Sequence, residues 1–186
     1  MGSQRAGGGT AQPADRVTAG IPSDFPATVE VVIEIPRGSR NKYEFDEATG
    51  AIRLDRVLSA AVFYPHEYGF IDCTRAGDDD HTYAIVLLDE ATFPGCRMHA
   101  RPVGVLLMHD EKGRDEKVLC VALGDPHYAH VKSLADIPKM DLTEVEHFFA
   151  TYKLLEDKNV DVDGWADVGH AKELLVADRA RFEDRG

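Results

Sequence analysis

Residues 28–35, Thr-Val-Glu-Val-Val-Ile-Glu-Ile, alternate polar and apolar positions and are rich in β-branched side chains, which predicts a strand. Pro36 and Gly38 then turn the chain. Lys42-Tyr43-Glu44-Phe45-Asp46 alternates again, Ala48-Thr49-Gly50 supplies a turn, and Ala51 to Val57 returns, so a hairpin is predicted. Phe63 to Ile71 is an aromatic segment whose tyrosines are expected to pack in the core and keep a hydroxyl for a polar site. Ala84 to Leu88 is an unbroken apolar run and predicts a buried strand. Arg101 to Met108, after a Pro94-Gly95 turn, and Lys117 to Leu123 predict two more. A meander of such short strands suggests a small closed or partly closed barrel.

From Asp136 onward the period changes. Val145, Phe148, Phe149, Tyr152 and Leu155 recur at helical spacing within residues 142–155. Asp141 is the expected N-cap, with Glu144 as the acidic half of a capping box. After Gly164-Trp165 a second helix is predicted over about residues 167–181. The expected fold class is therefore α+β, mainly β, with two C-terminal helices. Residues 1–25 are rich in Gly, Ala, Ser and Pro and read as a disordered tail; residues 26–186 read as a single domain without repeats or an internal linker.

Composition narrows the function classes. A chain of 186 residues with 44% hydrophobic and 29% charged residues is ordinary for a globular domain. Its net charge of −12 argues against nucleic acid or an anionic membrane as partner and suits a protein that collects cations. No apolar run is long enough to span a membrane, and the N-terminus shows no charged-then-apolar leader. Met1-Gly2-Ser3 opens like a myristoylation signal, but Ala6 stands where Ser or Thr is required. Cys73, Cys96 and Cys120 are odd in number and lack metal-ligand spacing, so they are expected to be reduced, mostly buried thiols in a cytoplasmic protein. The eight histidines form no zinc pattern.

Two acidic turns carry the candidate chemistry. Gly77-Asp78-Asp79-Asp80-His81-Thr82-Tyr83 runs straight into the Ala84–Leu88 strand, where repulsion between adjacent carboxylates is poorly screened. Asp110-Glu111-Lys112-Gly113-Arg114-Asp115-Glu116-Lys117 forms a second such turn between apolar runs. Each alone reads equally as a solvated turn. Together at one end of a sheet they would make a pocket for hard divalent ions.

In order along the chain, Glu34-Ile35-Pro36, Arg40-Asn41-Lys42-Tyr43-Glu44, Leu54-Asp55-Arg56, Phe63-Tyr64-Pro65 with Tyr68-Gly69-Phe70, and Arg101-Pro102-Val103-Gly104 resemble the soluble Mg²⁺-dependent inorganic pyrophosphatases. So do Asp110-Glu111, Asp115-Glu116-Lys117 and His147-Phe148-Phe149 with Tyr152-Lys153, and the resemblance runs from about Val29 to Trp165. It implies a five-stranded OB-type barrel with two helices, a homo-oligomer (commonly a hexamer among bacterial members), and hydrolysis of pyrophosphate to phosphate with several Mg²⁺ ions. Glu34, Asp78, Asp110 and Asp115 match positions that hold metal or its water, with Asp115 also counted among the catalytic groups. Asp80 matches the carboxylate that takes a proton from the attacking water, and Tyr68 a tyrosine beside that water. Lys42, Arg56, Lys117, Tyr152 and Lys153 match the groups that grip the two phosphates, a set in which Tyr68 also serves. Taken alone, each lysine reads as a surface charge and Tyr152 as helix core.

The chain departs from the family at one motif. The family pattern Asp-x-Asp-Pro-x-Asp is here Asp78-Asp79-Asp80-His81-Thr82-Tyr83, so a tyrosine occupies the third aspartate position. A phenol is a weak neutral ligand at neutral pH, and losing a carboxylate weakens ion binding. Two compensations are open: His81 as a nitrogen ligand, favouring Mn²⁺, Co²⁺ or Zn²⁺, or recruitment of Asp79, Asp89 or Glu90; otherwise His81 reads as a turn histidine with no ligand role. The other readings are a catalytically impaired protein that binds phosphate or pyrophosphate, and a hydrolase of another phosphoanhydride.

Overall fold

The computed structural model describes residues 21–111 and 113–184; most of the expected tail, residues 1–20, lies outside them. Residues 23–26 form a turn, and Phe25 packs against the core. The described strands are β1 (Val29–Ile35), β2 (Asn41–Asp46), β3 (Ala51–Val57), β4 (Glu67–Ile71), β5 (Tyr83–Leu87), β6 (Arg97–Asp110), β7 (Gly113–Arg114), β8 (Lys117–Ala122) and β9 (Val160–Ala166). Two helices, α1 (Lys139–Thr151) and α2 (Val168–Glu183), lie on either side of β9 in the chain.

Strands β1, β4, β5, β8 and β6 are neighbours in that order, and β6 pairs back onto β1, so five strands close a ring. The ring is not the simple meander expected, because β5 and β8 run parallel. Closure depends on the length of β6. Its residues Arg97–Ala100 pair with β1, Ala100–Leu106 with β8, and Val105–Asp110 with β9. It therefore starts four residues before the expected Arg101, and bulges between Pro102 and Gly104 let it bend from one partner to the next. Strands β2 and β3 form the expected hairpin as a separate sheet, with Lys42 opposite Arg56.

Both faces of the ring strands are covered, so β8 is buried along its whole length rather than alternating. Ile85, Leu87, Leu119 and Val121 join Phe148 and Phe149 of α1 in one core cluster. Ala84, Val86, Val118 and Cys120 point the other way, into a cluster with Ala171 and Leu175 of α2. Cys120 is fully buried, while Cys73 and Cys96 are only partly so. Gly69 is required where β4 crosses β1, since a Cβ there would lie 2.0 Å from the Val32 carbonyl oxygen. That close approach seats its neighbour Tyr68 under α1.

The helix ends correct two expectations. Helix α1 starts at Lys139 with Pro138 in the cap position, and Asp141 lies within the first turn, its N–H bonded to the Pro138 carbonyl at 3.0 Å. Asp141 thus acts on the helix dipole rather than as a cap. The helix stops at Thr151, and a short 3₁₀ turn, Leu154–Glu156, follows. Leu155, expected in the core, is swung outward and 69% exposed. Strand β9, which sequence reading missed, then pairs with β6 and leads to α2, where Asp167 accepts from His170 N–H at 3.0 Å.

Candidate active site

The first acidic turn is held by local backbone and side-chain hydrogen bonds. Asp80 N–H donates to Asp78 Oδ1 at 3.2 Å, Ala76 N–H to Asp80 O at 2.8 Å, and Arg75 to Asp79 O at 3.2 Å. Asp79 sits at φ +75°, a left-handed conformation that aspartate tolerates better than most residues. The second turn joins β6 to β8, where Asp115 N–H donates to Met108 O at 2.9 Å.

Both turns open onto one cleft of about 210 Å³. The carboxylates of Asp78, Asp80, Asp110 and Asp115 line it, with Glu44 and Glu111. Facing them are Lys42 and Arg56 from the β2–β3 hairpin, Lys117 from the start of β8, and Lys153 just beyond α1. Tyr68 and Tyr152 complete the wall. Ten of the eleven sequence-selected residues thus meet at one end of the barrel. The eleventh, Glu34, lines an adjoining groove that shares Glu44, Asp80 and Tyr83 with the cleft.

The cations are held by carboxylates in place. Arg56 forks onto Glu156 through Nε at 3.0 Å and an Nη at 2.9 Å. Lys42 pairs with Glu44 and Asp55, Lys117 with Asp115, and Lys153 with Asp110 at 3.5 Å. Burial pushes the Glu34 carboxyl up to about 7, against the opposing Phe45 N–H at 2.7 Å and the Lys42 charge. Glu34 is therefore a group that exchanges a proton near neutrality. Burial lowers Lys117, and Asp115 opposes that shift.

Against this geometry, the family model for inorganic pyrophosphatase matches residues 31–183. The chain belongs to the inorganic pyrophosphatase family. It is 48% identical over 158 residues to an inorganic pyrophosphatase of Leifsonia xyli, covering 84% of this chain and 97% of that one. An inorganic pyrophosphatase of a Nostoc species is 49% identical over 150 residues, 81% of this chain and 89% of the relative. The crystal structure of the Thermus thermophilus inorganic pyrophosphatase superposes with a TM-score of 0.86 at 45% identity, over 89% of this chain and 97% of that one.

Within this pyrophosphatase fold, Tyr83 does not hang at the rim. Its ring stacks on Tyr68 at 5.4 Å between centroids and 18° between planes. Burial, with Glu34, Asp80 and Asp115 adding to it, holds the phenol far above its ordinary range, so it stays neutral. His81 is occupied elsewhere. Its ring stacks on Phe70 at 4.4 Å, Nδ1 lies 3.2 Å from Thr74 O, and Nε2 lies 2.6 Å from Glu47. Asp89 lies past the opposite end of β5, 3.1 Å from His127, and neither it nor the exposed Glu90 lines the cleft. Asp79 lines the adjoining groove with Glu47, Arg75 and His81.

Sequence reading also missed Glu156, Lys158 and the buried Asp178. Lys158 lines the cleft, and Glu156 fixes Arg56. Neither carries a local motif; their roles come from the turn after α1 folding back over the hairpin.

Proposed function

We propose that this chain hydrolyses inorganic pyrophosphate to two phosphates in the Asp78–Asp115 cleft, using divalent cations. The observation that carries the reading is the facing of five cationic side chains and four aspartates across one cleft of a pyrophosphatase-family fold. Pyrophosphate is a small polyanion, and such a site must supply cations for phosphate and carboxylates for metal.

The donor set fits Mg²⁺. Among the described residues no three Asp, Glu, His or Cys side chains converge into a cage of their own. Mg²⁺ is normally held by one or two carboxylates together with water and substrate phosphate, so carboxylates distributed around a phosphate-sized cleft suit it. Asp78, Asp110 and Asp115 would hold the ions, with Glu34 retaining associated water. His81 does not line the cleft, and the oxygen-only set that does favours Mg²⁺ over Mn²⁺, Co²⁺ or Zn²⁺. Bound there, divalent ions supply Lewis acidity and lower the pKa of coordinated water.

The protein's own groups do the rest. The Glu156-fixed guanidinium of Arg56 presents its remaining N–H groups to phosphate. Lys42, Lys117 and Lys153 act as point charges, and the Tyr152 hydroxyl donates to phosphate oxygen. Asp80 accepts the proton lost by the attacking water, next to Tyr68. Assembly into a homo-oligomer belongs to the same reading, and sedimentation at micromolar concentration checks it. The functional test is the substrate panel: with Mg²⁺, pyrophosphate yields two phosphates per molecule, and organic phosphoanhydrides are cleaved far more slowly. Binding of pyrophosphate without turnover would replace hydrolysis by a binding role.

A further inference from the structure

Tyr83 marks where the chain leaves its family's acidic motif, and three relationships build its ring into the site. Tyr83 and Lys117 are direct register partners on parallel strands β5 and β8, so their side chains rise from one face. Lys117 Nζ lies 4.3 Å from the Tyr83 ring centroid, well inside the reach of a cation–π contact. Tyr68, stacked beneath Tyr83, lies 5.9 Å from the same ammonium. The Lys117 side chain is 2% exposed, so water contributes almost nothing to holding its charge. Its supports are the Asp115 carboxylate and the two rings.

We propose that Tyr83 is a positioning residue for pyrophosphate: its ring face holds the Lys117 ammonium at the cleft wall, ready for a substrate phosphate. The inference rests on the function proposed above. A carboxylate at this position would neutralise the ammonium and compete with phosphate for it. A ring face stabilises the cation through its quadrupole and carries no net charge, so it adds no second anion beside Asp115 to compete with the substrate for Lys117. The substitution thus gives up an anionic donor and strengthens the field on the phosphate side. The phenol oxygen is not needed for this role; the aromatic face is.

The test compares Tyr83→Phe, Tyr83→Leu and replacement of Tyr83 by 3,4,5-trifluorophenylalanine, which keeps the ring's shape and removes most of its quadrupole. Steady-state kinetics in saturating Mg²⁺ should show KM for pyrophosphate near the parent value in the Phe variant and about tenfold higher in the Leu variant, with kcat changed less. The trifluoro ring should fall with Leu, and this variant keeps the test open if Leu fails to fold. Calorimetric affinity for imidodiphosphate, a pyrophosphate analogue with a bridging nitrogen, should follow the same order. Equal KM and affinity for the Leu or trifluoro variant and the parent would overturn the role of the ring, as would a Phe variant as weak as Leu. A parent protein that neither cleaves pyrophosphate nor binds the analogue would instead overturn the function itself, before any variant is compared.

Discussion

Thr82 Oγ1 donates to Asp178 Oδ2 across 2.6 Å, tying the residue before β5 to α2. Both residues are fully buried. Around this bond Arg75 N–H donates to Asp178 O at 3.0 Å and Arg179 to Cys73 O at 3.2 Å, so α2 grips the acidic loop near both its ends. Arg181 pairs with the same carboxylate. Asp178→Ala should lower unfolding free energy by about 2–4 kcal/mol, because it leaves Thr82 and Arg181 without their partner. It should also lower activity, since the freed loop carries Asp78 and Asp80. Asp178→Asn, which keeps an acceptor for Thr82, should lose less of both. Urea unfolding with parallel kinetics checks the order.

His66 gives a pH dependence that owes nothing to the cleft. It is 8% exposed, with neither ring nitrogen hydrogen-bonded within the protein. Burial, helped by the Arg37 charge and opposed by Asp141, lowers it from 6.5 to about 4. A depressed folded-state value means the neutral ring is favoured in the fold. Its contribution is complete above pH 6.5 and is lost as pH falls toward 4, a total of about 3 kcal/mol. His66→Phe should remove that part of the acid limb. Unfolding free energies at pH 7 and pH 4.5 should differ less in the variant than in the parent.

Arg56 should not tolerate lysine. Its fork on Glu156 fixes the guanidinium plane, and an ammonium cannot hold Glu156 and a phosphate with the same geometry. Arg56→Lys should raise KM for pyrophosphate by about tenfold with little change in melting temperature, because the side chain lies at the cleft wall rather than in the core. Kinetics and thermal unfolding on the same preparation separate the two effects.

Divalent ions should stabilise the protein as well as activate it. The carboxylates lining the cleft repel one another, and any ion that binds only the folded chain raises its stability by mass action. Millimolar Mg²⁺ should raise the melting temperature above that in EDTA. Asp115→Asn should shrink that difference.

Much of this arrangement is legible in residues 28–123, where alternation marks the strands, and in the ordered acidic and basic motifs that meet in the cleft. Ring closure was not: Arg97, Met98, His99 and Ala100 do alternate polar and apolar, but the backbone pairing of this short stretch to β1 is not specified by any local pattern. Strand β9 did carry a signal: Val160 and Val162 alternate with Asp161 and Asp163. That alternation spans only four residues before Gly164-Trp165, which read as the lead-in to the second helix. Leu155 failed because helical spacing cannot show that the helix ends at Thr151. Asp178 was unreadable because its partner Thr82 lies 96 positions away in the chain. The Tyr83–Lys117 contact depended on the parallel pairing of β5 with β8, which no local pattern specifies.

The most direct measurement is phosphate release from pyrophosphate by the purified chain in Mg²⁺, beside Asp80→Asn. Turnover by the parent, and a loss on the order of 100-fold or more in kcat for the variant with unfolding unchanged, is the predicted result. No turnover by a folded, Mg²⁺-loaded parent would contradict the assignment of hydrolysis to this cleft. Equal turnover by Asp80→Asn would contradict the role of Asp80 in it.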